Sequence, residues 1–172
     1  MTSLPADIAT PASVVLTSDA SNRDAQRLLA IVGQFALDLD EAHPRDGRRD
    51  FDGDGSANTF CNVFVRDFAA AMGTPIHGAL ANHQVMWLAS DEARKRGWAT
   101  VTEHAAHGCA EEGFAVVAGW YNRNGGPGHV AVVVPSLGEP GTWIAQAGKH
   151  CFSRGLLRAG FSDLPVTFFA HP

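Results

Sequence analysis

The run His129-Val-Ala-Val-Val-Val134 is the feature that most limits how this chain can fold. A short, continuous run of β-branched residues between turn signals reads as a strand buried on both faces. Alternation places His129, Ala131 and Val133 on one face and Val130, Val132 and Val134 on the other. Such a strand cannot sit alone, and its flanks supply neighbours. Phe114 to Trp120 and Thr142 to Ala147 read as strands, joined to it by the turn-rich segments Asn122–Gly128 and Pro135–Gly141. Val166 to Ala170 reads as a closing strand, and Trp98 to Val101 as a short extended piece.

Before Gly113 the pattern is helical. Ser21 or Asn22 can cap a helix from about Arg23 to Asp40, with Leu28, Leu29, Ile31, Val32, Phe35, Ala36 and Leu37 on its buried side. Thr59 or Asn58 caps a second helix, Cys61 to Met72, closed by Gly73. A third runs from about Asn82 to Arg96 and stops at Gly97. Thr102 and Glu103 open a short helix ending near Gly113. Residues 1–20 read as an extended arm, and 41–58 as a polar loop rich in Gly and Asp. Helices first and an antiparallel meander after define an α+β domain, with helices packed on a central sheet of about 4–6 strands. The 172 residues suit one domain.

Charge and targeting narrow the function. Thirteen basic against eighteen acidic residues give a net charge of −5, with the basic residues scattered, which argues against nucleic acid as a partner. No apolar run is long enough to span a bilayer, so no membrane insertion is expected. The start Met-Thr-Ser-Leu-Pro-Ala-Asp has no basic stretch followed by a long apolar one. It predicts synthesis in the cytoplasm without a Sec leader, and export, if any, by another machine.

The chain has three cysteines, Cys61, Cys109 and Cys151, and no CxxC pair, so no structural zinc and no cofactor are expected. A free cysteine is more often a small buried hydrophobe than a nucleophile. Position separates Cys61 from the other two. A thiol attacks carbonyls as thiolate, and its pKa of about 8.5 must be lowered by a helix N-terminus or an imidazolium. Cys61 stands where a helix begins, and the N–H groups there would also receive a tetrahedral oxyanion. Cys109 falls within a short helix, and Cys151 falls in a loop after a strand. A Cys109–Cys151 disulfide is conceivable in an oxidising compartment, and spacing alone does not decide it.

Of eight histidines, only His129 opens a strongly apolar strand, and it follows a glycine that leaves room for close approach. It is the candidate general base. A third polar group should orient the imidazole from the next strand. Gln146 is the lone polar residue of Trp143-Ile-Ala-Gln-Ala147, and His150 is the alternative. Asp52-Gly-Asp54-Gly-Ser56-Ala-Asn58 has calcium-loop spacing at its start. Ala57 and Val63 stand where that loop needs Gly and Glu, so it reads as a turn and cap.

The segment Asn58-Thr-Phe-Cys-Asn-Val-Phe-Val-Arg-Asp-Phe68 resembles the nucleophile helix of the NlpC-like and CHAP-like cell-wall peptidases, and Gly128-His-Val-Ala-Val-Val133 resembles their histidine strand. The likeness is nearest to the first family of type VI secretion amidase effectors. It also rests on Met72-Gly-Thr-Pro-Ile76, Ala81-Asn82, the Gly97-Trp98 step and Gly113-Phe-Ala-Val-Val-Ala-Gly119. It covers about residues 58–134, with Asn62 departing from the small or aromatic residue that relatives carry after the nucleophile.

The resemblance implies a papain-like fold of the NlpC type and hydrolysis of an amide bond in the peptidoglycan stem peptide, usually between D-glutamate and a diamino acid. Cys61 would be nucleophile, His129 general base and Gln146 the orienting third residue. Asn58, Asn62, Asn82 and Trp120 are the candidate substrate-binding positions. The chain would act as a monomer delivered to the periplasm of a target bacterium. An immunity protein covering the cleft would be its macromolecular partner. A phage endolysin, a papain-like hydrolase acting on another amide, and a non-catalytic binding module on the same fold are the competing expectations.

Overall fold

A computed structural model describes residues 16–38 and 60–172. Among the described residues twelve elements follow one another. They are α1 (Ala25–Gly33), α2 (Cys61–Ala71), α3 (Ala81–Leu88), α4 (Asp91–Lys95), β1 (Ala99–Val101), α5 (Glu103–Glu111), β2 (Ala115–Trp120), β3 (His129–Val134), β4 (Trp143–Ala147), β5 (Cys151–Leu156), α6 (Leu157–Phe161) and β6 (Thr167–His171). The six strands form one antiparallel sheet in the order β1-β6-β2-β3-β4-β5. The architecture is α+β. The expected meander is β2–β4, to which β5 adds an edge that was not expected, and the closing strand β6 returns to pair with β2 and β1 on the other side.

The apolar strand β3 lies inside the sheet, and both of its faces are covered. Val130, Val132 and Val134 join Val117, Ala145 and Phe169 under α1, α2 and α3, which contribute Leu28, Ile31, Phe64, Phe68 and Leu88. Ala131 and Val133 join Val116, Ile144 and Phe168 beneath Ala106 and Ala110 of α5 and Phe161 of α6. Helices therefore cover both faces of the sheet. Small residues on α5 let that helix lie close to the sheet, and a second apolar layer is buried without a large helix.

Several boundaries differ from the sequence reading for local reasons. Asp24, not Ser21 or Asn22, caps α1, accepting from the Arg27 N–H at 2.7 Å. That helix ends at Gly33 rather than near Asp40, and Ala36 takes a positive φ of 50°. The side chain of Gln34 instead bridges both backbone groups of Leu16, at 3.0 Å each. The expected helix from Asn82 to Arg96 is two helices. Ser90 breaks it by donating to the Trp87 carbonyl and accepting from the Ala93 N–H, with Asp91 and Glu92 in the new first turn. A serine followed by two acids is itself a start signal.

Cys151 opens a strand rather than lying in a loop. β5 is an edge strand, half-buried throughout, so its sequence shows no alternation. Residues 1–15 and 39–59, which include most of the expected arm, the Gly- and Asp-rich loop, the calcium-like segment and Asn58, lie outside the described residues. No helix among the described residues is long and apolar enough to cross a membrane.

Candidate active site

Cys61 is the first residue of α2 and is 1 % exposed. Phe60 holds the N-cap position in place of the expected Thr59 or Asn58. A phenylalanine cap has no side-chain acceptor to offer the first-turn N–H groups. Phe60 instead fixes where the helix enters. Its own N–H donates to the carbonyl of Ala147 at the end of β4, at 3.2 Å.

That hydrogen bond ties the start of α2 to the end of β4. Helix α2 packs on the Val130/Val132 face, while His129 belongs by alternation to the other. The paired rungs of β3 and β4 are Val134↔Trp143, Val133↔Ile144 and Val132↔Ala145. Past the last rung, Ala147 gives its carbonyl to the helix start.

His129 is held on several sides. Its Nε2 lies 2.8 Å from Oε1 of Gln146. The amide of Gln146 has its own orientation fixed, because Nε2 donates to the carbonyl of His150 at 3.0 Å. Oε1 is an acceptor only, so His129 Nε2 carries the proton and Nδ1 keeps its lone pair. Gln146 is thus the imidazole's side-chain partner, and His150 contributes through its backbone. Burial holds the His129 pKa below the ordinary imidazole value of 6.5, and the Gln146 bond partly opposes this. The ring is neutral at pH 7, as a base must be.

Three residues completing this environment were not singled out from the sequence. The Phe161 ring lies 4.8 Å from the His129 ring, centroid to centroid. A Cβ on Gly148 would fall 3.0 Å from His129 Cε1, and one on Gly160 would fall 2.4 Å from Gln146 Oε1. Helix α6 can cover the pair only because Gly160 has no side chain. Its five residues are too few to show a helical period, so only the glycines hinted at close approach.

Beside the thiol is a cavity of about 460 Å3, lined by Cys61, Asn62, Leu80 to His83 and Gly125 to Gly128. Gly128, the residue before His129, lines the cleft with Cys61. Asn62 and Asn82 line it, whereas Trp120 does not. Trp120 is half-buried with the second apolar layer and pairs across the ladder with His129. The Asn62 amide donates to the Ala79 carbonyl at 2.6 Å. The buried Gln84, another residue not foreseen, donates to the carbonyls of Asn62 at 2.8 Å and Gly78 at 3.2 Å. It ties the first turn of α2 to the loop before α3.

None of the three cysteines is in a disulfide. Cys109 packs with the second apolar layer and Cys151 with the first, on opposite faces of the sheet, so the conceivable pairing does not occur. Among the described residues no cluster of His, Cys, Asp and Glu is placed to hold a metal ion. No protein-family model matches the chain, and no curated protein matches it.

Proposed function

We propose that this protein is a cysteine amidase on a papain-like, NlpC-type fold that hydrolyses an amide bond in the peptidoglycan stem peptide. One observation carries the catalytic half of the reading. His129, fixed by Gln146 in the tautomer whose Nδ1 is free to accept a proton, directly follows Gly128, which lines a cleft together with a cysteine at the start of a helix. The choice of substrate rests on the likeness of the cysteine and histidine segments to cell-wall peptidases. The bond between D-glutamate and a diamino acid is the expected target.

The steps follow from the groups present. His129 Nδ1 takes the proton of the Cys61 thiol as sulfur attacks the carbonyl carbon. The tetrahedral oxyanion is stabilised by N–H groups of the first turn of α2. The imidazolium then gives its proton to the departing amine, and the C–N bond breaks, leaving a thioester on Cys61. His129 next deprotonates a water that attacks the thioester. The acid product leaves, and the proton returns to sulfur. Gln146 Oε1 accepts from Nε2–H throughout and stabilises the transient positive charge on the ring.

Digestion of purified sacculi followed by mass analysis tests the substrate. The expected result is a new amine and a new carboxyl end at one stem-peptide bond. Intact sacculi together with a reactive Cys61 would instead favour a cysteine hydrolase acting on a different amide.

A further inference from the structure

The cleft wall opposite Cys61 is the β2–β3 connection, and it is wrapped around one side chain. Asn82 of α3 accepts from the Asn122 N–H at 2.9 Å, and its Nδ2 donates to the carbonyls of Gly126 at 3.1 Å and Asn122 at 3.4 Å. Within the connection, Asn122 donates to the Pro127 carbonyl at 3.2 Å and accepts from the Asn124 N–H at 3.0 Å. The chain then passes so close to the latch that a Cβ on Gly128 would fall 2.2 Å from Asn82 Oδ1 and 2.6 Å from the Trp120 carbonyl. The next residue is His129.

An amide with both ends engaged by backbone is not free to bind substrate. It is well placed to determine where a loop ends. We infer that Asn82 is a positioning residue: it locks the 121–128 connection to α3 and thereby sets the seat of the His129 imidazole. The inference rests on reading His129 as the base, and it assigns to α3 a part in the site. The neutral, two-ended amide is the group the geometry requires. Aspartate at this position would keep the acceptor for Asn122 N–H but would set carboxylate oxygen against two carbonyls.

The test uses the full chain with ring-labelled histidine, the His129 cross-peak being assigned by its loss in His129→Gln. In Asn82→Ala, thermal melting first establishes that the variant is folded. The expected result is a displaced His129 cross-peak and, on a stem-peptide substrate, kcat lowered at least tenfold with KM nearly unchanged. Gly128→Ala pushes on the same latch from the other side and should displace the same cross-peak. It also serves if Asn82→Ala does not fold. A lowered melting temperature with the His129 cross-peak unmoved in a folded variant overturns the inference, since a merely structural asparagine would behave in that way. The cross-peak decides the matter even if the wild-type protein cleaves no stem peptide, an outcome that would remove the proposed function and not the latch.

Discussion

His129 Nε2 and Gln146 Oε1 stand 2.8 Å apart, and the other end of the Gln146 amide is held by the His150 carbonyl at 3.0 Å. The glutamine can therefore present only an acceptor to the ring. The tautomer of the neutral imidazole follows from two hydrogen bonds, and burial favours that neutral form. The acid limb of the pH–rate profile should report this. Because burial lowers the His129 pKa, activity should persist below the ordinary value of 6.5 and fall as the ring protonates. Gln146→Leu removes the bond that favours imidazolium and should shift that limb to lower pH. Gln146→Glu places a carboxylate against the ring and should shift it upward. The leucine variant should also lose roughly 10–100-fold in rate, less than the 10²–10⁴ typical of losing a general base outright. Shifts in the same direction for both variants would contradict the assigned role.

Stability should carry the same signature. A histidine whose folded pKa is depressed binds fewer protons when folded than when unfolded, so its contribution is fully present above the unfolded value. That contribution is lost as pH falls from about 6.5 through the lower folded value. Urea unfolding as a function of pH should show stability falling with acid across this window, with a shallower slope in His129→Gln. Equal slopes in the two proteins would place the titration elsewhere.

Gly160→Ala tests the cover on the dyad. The added methyl would meet Gln146 Oε1 at 2.4 Å and Ile144 Cδ1 at 2.8 Å. Helix α6 must then move off the sheet, at a cost of about 1–3 kcal/mol for overpacking. Melting temperature and hydrolysis rate should fall together. An alanine variant with wild-type stability and rate would show that α6 does not press on Gln146.

Asp24→Ala is the matched control. It removes the cap of α1, accepting from Arg27 N–H at 2.7 Å, on a helix away from the cleft. The expected loss is about 1 kcal/mol of stability with an unchanged hydrolysis rate in the folded protein. A rate loss would mean that stability and site geometry are coupled more widely than the distances indicate.

β3 was readable because a strand covered on both faces needs an unbroken apolar run, and Cys61 because a helix start differs from a helix interior. Gln146 was readable as a lone polar group among buried apolar ones. β5 and α6 were not, since a half-buried edge strand and a five-residue helix leave no period to detect. Asn82 was noticed for the wrong reason. It stood among the candidate substrate-binding positions, and its hydrogen bonds run to backbone across 40 and 44 residues of sequence, a separation no local pattern reveals. The tie between the start of α2 and the end of β4, from Phe60 N–H to the Ala147 carbonyl, is likewise a long-range event.

The central claim is that Cys61 is the nucleophile of an amidase and that the imidazole set against Gln146 serves it. Its most direct test is the cleavage of purified stem peptides by wild type and by Cys61→Ala, both verified as folded by circular dichroism and melting. The account predicts a single cleaved amide bond with wild type and no cleavage above background with the alanine variant. Cleavage by Cys61→Ala at the wild-type rate would contradict it.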